Sequence, residues 1–300
     1  MRALEALLAA DRKYEGKSSL AGRVALITGG GTGLGLEIAR AFARRGADLA
    51  LVSRDPGHLD QGRAALEPDL TAGRRVVTES CDVRDVHGVR RTVRGLEERL
   101  GRIDILVNNA AGNFVRPAEK LPEKAFATVT DIVLNGSFNL SRAVGRSMID
   151  RGDGGVILNV VATYAWTGGP GTVHSACAKA GVLAMTRTLA VEWARHRIRV
   201  VAIAPGPFTS RGAADRLWPS DELKERVRRS IPLGRFADRD EVAGAAAWLV
   251  SDEAAYVTGE CLTLDGGGWL GRGILGGDEP VPTVHRRRSN RVPNETEGDR

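Results

Sequence analysis

Between residues 24 and 264 the chain alternates short apolar runs with amphipathic helical stripes, and a glycine-rich turn follows the first run. The runs Val24–Thr28, Asp48–Ser53, Val76–Cys81, Ile103–Asn108, Gly155–Val161, Arg199–Ala204 and Cys261–Leu264 are rich in Val, Ile and Leu. Most are apolar throughout rather than every second residue, the pattern of parallel strands buried on both faces. Between them Leu34, Ile38 and Phe42 form one helical stripe, and Val182, Met185, Leu189 and Trp193 form another. Strands alternating with helices predict βαβ units and an α/β fold: a doubly wound parallel sheet of about seven strands with helices on both faces. The alternation has no internal linker, so one domain is expected over residues 20–275, against the length prior of two for 300 residues. Residues 1–19 read as an N-terminal extension, and 276–300, rich in Pro, Arg, Asn and Glu, as a flexible tail.

Composition narrows the function classes. Gly makes up 37 of the 300 residues, which calls for loops of unusual dihedrals or close backbone approach. The net charge is +6, but residues 285–300 hold five Arg against three acids, so +2 of it sits in the tail. The His285-Arg286-Arg287-Arg288 run lacks interleaved aromatics, and no nucleic-acid partner is expected. Cys81, Cys177 and Cys261 are scattered and odd in number, which predicts neither a disulfide framework, nor a structural metal, nor an iron–sulfur centre. No apolar run approaches the ~18 residues of a membrane span, and the apolar stretch Ala6–Ala10 is too short for a secretory signal. A cytoplasmic protein without a membrane partner is the expectation.

The first apolar run leads into Thr28-Gly29-Gly30-Gly31-Thr32-Gly33-Leu34-Gly35 and then a helical stripe. Glycines between a strand and a helix let backbone N–H groups approach a pyrophosphate at the positive helix end. The spacing is TGxxxGxG, and Thr28, Gly29, Gly31, Thr32, Gly33, Leu34 and Gly35 are the expected phosphate-loop contacts. The second strand run ends in Ser53 and Arg54. A hydroxyl and a guanidinium at the place of an acidic ribose ligand suit a 2′-phosphate, so NADPH is expected ahead of NADH, with Asp55 close by.

TGxxxGxG, then Asn108-Asn109-Ala110-Ala111-Gly112, then the Pro205-Gly206 turn resemble the short-chain dehydrogenase/reductase family over roughly residues 20–270. The resemblance implies a Rossmann-type domain, a nicotinamide cofactor and commonly a homotetramer. It also implies adenine contacts from Asp82 and Val83, a groove lined by Asn109, Ala110 and Gly112, nicotinamide contacts from Pro205, Gly206, Thr209 and Ser210, and a substrate lid over about 206–235. The family's YxxxK motif is altered: Lys179, the expected ribose ligand, is present, but four residues earlier stands Ser175. A serine hydroxyl without an adjacent base is a poor proton donor near neutral pH, which argues against ordinary carbonyl/alcohol chemistry.

Asn113-Phe114 after the NNAAG segment, the run Asp131-Ile132-Val133-Leu134-Asn135-Gly136, and Ala162-Thr163-Tyr164 followed by Ser175 and Lys179 look like the NADPH-dependent 2,4-dienoyl-CoA reductases. That resemblance implies an acyl-CoA substrate from unsaturated fatty acid degradation, with Tyr164 and Asn135 holding the thioester oxygen. It gives Ser175 and Lys179 supporting roles and places Asn113 and Phe114 at the substrate, no metal or flavin is implied, and of the basic residues after Pro205 it is Arg211 that is expected to meet the acyl-CoA phosphates. The substitution fits the chemistry, because hydride delivery to a conjugated thioester puts charge on the thioester oxygen and protonation follows at carbon. Two readings stay open beside it: a trans-2-enoyl-CoA reductase or other short-chain oxidoreductase, compatible with Val173-His174-Ser175, and a non-catalytic NADP(H)-binding sensor. The basic residues after Pro205, Lys224 to Arg229, interleave with acids and read as a solvated helix face.

Overall fold

Seven strands pair in one parallel sheet in the order β3-β2-β1-β4-β5-β6-β7, in a computed structural model that describes residues 19–209 and 220–270. The strands are β1 (Val24–Thr28), β2 (Asp48–Ser53), β3 (Val76–Ser80), β4 (Ile105–Asn108), β5 (Gly155–Val160), β6 (Ile198–Pro205) and β7 (Cys261–Leu264). The helices are α1 (Gly33–Ala43), α2 (Pro56–Leu66), α3 (Val86–Leu100), α4 (Glu123–Thr130), α5 (Gly136–Arg151), the single turn α6 (Tyr164–Thr167), α7 (Val173–Trp193), α8 (Asp221–Arg229) and α9 (Arg239–Val250). The doubly wound parallel sheet is thus as expected, and three strand runs keep their predicted bounds.

The other four shift at their ends. The β3 run stops at Ser80: Cys81 N still donates to Ser53 O at 3.0 Å, but the chain then turns, with Asp85 N on Asp82 O. The β4 run starts at Ile105, two residues late, because the buried Asp104 meets β1 partly through its side chain, accepting from Val24 N at 2.9 Å. The β5 run ends at Val160, and β6 extends over Ile198–Pro205, paired to β7 as far as Pro205 and Leu264.

Successive strand residues feed opposite faces of the sheet, which is why near-continuous apolar runs are needed. Ala25 and Ile27 pack with Ile38, Phe42, Val242 and Ala246 under α1 and α9. Val24 and Leu26 pack with Val93, Leu96, Val144 and Met148 under α3 and α5. Helix starts follow local chemistry: Asp55 accepts from His58 N at the head of α2, Asp85 from His87 N at α3, and Ser220 from Leu223 N at α8. Strand order reverses between β2-β1 and β4-β5, and this opens a crevice at the carboxyl ends of β1 and β4. The N-terminal extension up to Ser18, the tail, and Ser210 and Arg211 lie outside the described residues.

Candidate active site

The expected phosphate loop runs from the end of β1 into the first turn of α1. Its shape is fixed from β4. Thr28 Oγ1 donates to Val107 O at 3.2 Å and accepts from Asn109 N and Ala110 N at 2.9 and 3.0 Å. Asn109 Nδ2 donates to Thr28 O at 2.9 Å. Both side chains therefore hold the loop rather than point out of it. Gly35 lies so close to this scaffold that a Cβ would stand 2.3 Å from Gly29 O and 2.6 Å from Asn109 Nδ2. Gly33, at φ +56°, has nothing within 4 Å of a built Cβ. Thr32 makes no side-chain cap, so no capping side chain takes up the first N–H groups of α1. This glycine-lined space at a helix N-terminus fits a dinucleotide pyrophosphate.

At the adenosine end, Ser53 closes β2 and the exposed Arg54 follows, its carbonyl accepting from Ser80 Oγ at 3.2 Å. Asp55 is committed elsewhere, since its carboxylate caps α2. Asp82 receives Arg84 Nε on both oxygens at 2.9 and 3.0 Å and Arg84 Nη2 at 2.5 Å. That pairing holds the Asp82 carboxyl below its usual range, with a smaller pull from Arg54. Val83 is buried against Gly136 and its carbonyl accepts from Asn139 Nδ2 at 3.0 Å. Gly112 approaches Ile132, and Gly206 lies against Asp265. Thr209 N donates to Ala237 O at 3.0 Å.

The catalytic candidates converge beyond β5. Tyr164 opens α6, and its hydroxyl meets Ser175 Oγ, in the first turn of α7, at 3.0 Å. Asn113 Nδ2 donates to the same hydroxyl at 3.4 Å. Burial pushes the Tyr164 phenol up, more than the Ser175 contact lowers it, so the group stays a proton-bearing donor across neutral pH. Ser175 is 2% exposed and Lys179, one turn on, 6%. The Lys179 ammonium donates to Val160 O at the end of β5, and burial lowers its pKa to about 8.

Asn135 does not join this cluster by a hydrogen bond. It ends a π-helical turn, Asp131–Asn135, between α4 and α5, is exposed, and donates through Nδ2 to Asp131 Oδ1 at 2.8 Å. Phe114 lies in the loop after β4 and packs beside Val129 and Val161. It also walls an apolar cavity of about 430 Å³ with Pro122, Ala125 and Val129, and with Lys124 and Thr128 at its edge. A larger groove of about 930 Å³ between α3 and α5 contains none of the predicted site residues. On α8, Arg228 and Arg229 are paired to Glu225, as expected of a solvated face.

Sequence reasoning passed over two features here. One is the buried polar chain Ser141–Asn108–Asn159–Thr186 beneath the site, linked at 2.8–2.9 Å. The other is His174, fully buried beside Ser175 and stacked on Phe114 with ring centroids 4.3 Å apart.

A family model described as enoyl-(acyl carrier protein) reductase, of the short-chain dehydrogenase/reductase type, matches residues 29–268. The chain belongs to the short-chain dehydrogenase/reductase family. Within it, a protein of Bacillus subtilis named probable 2,4-dienoyl-CoA reductase [(2E)-enoyl-CoA-producing] is 44% identical over 249 residues, 83% of this chain and 97% of the relative. The peroxisomal 2,4-dienoyl-CoA reductase [(3E)-enoyl-CoA-producing] of Pongo abelii is 43% identical over 250 residues, 83% of this chain and 84% of the relative. Among solved structures, a short chain dehydrogenase from Bacillus anthracis superposes with a TM-score of 0.76 at 46% identity, covering 84% of this chain and 97% of that one. A gluconate 5-dehydrogenase from Burkholderia cenocepacia, solved with NADP and tartrate, gives 0.78 at 31% identity, with coverage of 84% and 97%.

Proposed function

We propose that this short-chain reductase is an NADPH-dependent 2,4-dienoyl-CoA reductase. The observation that carries the reading is the contact of Tyr164 Oη with Ser175 Oγ at 3.0 Å, where Ser175 stands in the family's tyrosine place. The relatives' names support the substrate class. The glycine-lined space at 28–35 supports a nicotinamide dinucleotide, and Ser53 with the exposed Arg54 supports its phosphorylated form.

Bound there, NADPH supplies the hydride. The chain's own groups do the rest. Lys179 would hold the ribose, and Ser175 would orient the Tyr164 hydroxyl. A hydroxyl both donates and accepts, so Tyr164 can keep Ser175 and still donate to the thioester oxygen. As hydride adds to the conjugated chain, an electron pair moves to that oxygen, and Tyr164 and Asn135 stabilise the resulting enolate. Water then supplies a proton at carbon, leaving hydroxide to the solvent, so no group has to protonate an alkoxide. The apolar cavity beside Phe114 suits the acyl chain, and the rim Lys124 suits an anionic headgroup. The family resemblance assigns Thr209 and Ser210 to the nicotinamide, and Arg211 is assigned to the acyl-CoA by its charge. A cytoplasmic homotetramer is part of it, resting on the family resemblance and the bacterial relative, and light scattering tests the assembly.

Purified protein mixed with NADPH and a trans-2,trans-4-dienoyl-CoA is expected to consume both in equal amounts. Turnover of a 3-oxoacyl-CoA with none of the dienoyl-CoA would overturn the proposal. NADPH binding without turnover of any acyl-CoA would favour the sensor.

A further inference from the structure

His174 has no place in the chemistry above, yet it is the buried neighbour of Ser175. It is 0% exposed, and neither ring nitrogen makes a well-aligned hydrogen bond, although the Phe114 backbone lies near enough to act on the imidazole. Leaving such a group unpaired costs about 1–3 kcal/mol, so packing alone favours an apolar residue here. Burial keeps the imidazole neutral, against a smaller opposite pull from the Phe114 backbone. The contact it makes is with Phe114: rings stacked at 4.3 Å and 18°.

That stack lies within a zipper of two loops. Arg116 N donates to Gly171 O at 2.8 Å, and a Cβ on Gly171 would stand 2.8 Å from Val115. Asn113, next to Phe114, reaches Tyr164 Oη, and its own Oδ1 accepts from Phe114 N at 2.9 Å. Fixing Phe114 therefore fixes the Asn113 side chain, and through it the second contact on the Tyr164 hydroxyl. We infer that His174 is a positioning residue: its ring face clamps Phe114 and so sets Asn113 against the Tyr164–Ser175 hydroxyl pair. Neither nitrogen touches the reacting atoms in this role. Asn113 Nδ2, from the loop after β4, and Ser175 Oγ, from the first turn of α7, approach one phenol oxygen, so a slip of that loop against the helix would rotate the hydroxyl away from the substrate oxygen.

The inference rests on the dienoyl-CoA reductase reading, and its test has one arm that needs no turnover. His174→Ala and His174→Phe are compared with wild type by amide hydrogen exchange at Asn113–Arg116 and by steady-state kinetics with NADPH and the dienoyl-CoA. Faster exchange over those four amides is expected in His174→Ala, with near wild-type exchange in His174→Phe. In the kinetics, His174→Ala loses about 100-fold in kcat, the scale of an ångström-level misplacement, with NADPH affinity kept. His174→Phe, which keeps a stacking ring, recovers at least tenfold of that loss (roughly, for a retained aromatic pair). Unchanged exchange in His174→Ala overturns the clamp whatever the activity. Equal impairment of both variants overturns it too, and moves the role to the ring nitrogens. Absence of turnover by wild type counts against the reductase reading alone. Should His174→Ala fail to fold, Phe114→Leu against Phe114→Tyr breaks and keeps the same stack from the other side, with the same outcomes.

Discussion

Replacing Lys179 by Met tests how the site carries a charge it has buried. The side chain is 6% exposed, and its one hydrogen bond among the described residues goes to Val160 O. Desolvation lowers its pKa from 10.5 to about 8. At about 1.36 kcal/mol per pH unit, that fall corresponds to roughly 3 kcal/mol opposing folding while the lysine is charged in both states. Below about pH 8 the full penalty applies, because folded and unfolded chains both hold the proton. Between about 8 and 10.5 the unfolded chain binds a proton that the folded chain lacks, so stability rises with pH. Above 10.5 the penalty is gone. Methionine removes the charge and gives up one hydrogen bond worth about 1 kcal/mol. Lys179→Met is therefore expected to be more stable than wild type by about 2 kcal/mol at neutral pH, with the advantage lost and reversed toward the upper end of the window. Urea titrations of both proteins across that range, followed by tryptophan fluorescence, give the difference directly and cancel the other titrating groups. A difference that does not change with pH would refute the burial argument. The same variant is expected to bind NADPH more weakly, since the ribose loses its donor, so stability and cofactor affinity move in opposite directions.

Tyr164→Phe is expected to lower kcat by about 10²–10³, the cost of one oxyanion donor, with little change in NADPH affinity; kinetics within tenfold of wild type would reject the donor role. Gly35→Ala places a methyl group 2.3 Å from the Gly29 carbonyl and 2.6 Å from Asn109 Nδ2, both parts of a rigid scaffold. Fluorescence titration is expected to show loss of NADPH binding by that variant. Arg54→Ala is expected to cut the preference for NADPH over NADH roughly 10- to 100-fold, the range of one charge-assisted hydrogen bond. The ratio of kcat/KM for the two cofactors measures it, and an unchanged ratio removes Arg54 from the 2′-phosphate site.

What could be read from the sequence was whatever is encoded locally. Apolar runs and helical stripes give the sheet because burial on both faces leaves no polar position in a strand such as Leu49–Val52. The glycine spacing gives the loop at 28–35 because at Gly31 and Gly35 a Cβ would stand 2.3 Å from a backbone carbonyl. The Tyr164–Ser175 pair spans eleven residues and a turn; it was legible only through resemblance, since spacing alone does not bring the two hydroxyls together. The His174–Phe114 stack joins a helix to a loop sixty residues away, and a histidine inside an apolar helix gives no sign of its partner. The π turn at Asp131–Asn135 was equally hidden, because one inserted residue barely disturbs a 3.6-residue period.

That turn matters for how the two proposed oxyanion donors share the work. Asn135 Nδ2 already donates to the Asp131 carboxylate at 2.8 Å, in an exposed bond that solvent screens. To reach a thioester oxygen it must give that bond up, or turn its second N–H outward while keeping the first. Tyr164 faces no such exchange. Its partner is a neutral hydroxyl, which can rotate to donate to the phenol oxygen while the phenol proton goes to the substrate. Burial also holds that phenol in its protonated form. The donor that loses least on meeting the developing charge contributes most to the transition state, so in the proposed mechanism the larger part falls to Tyr164 and Asn135 would add what remains after its release from Asp131.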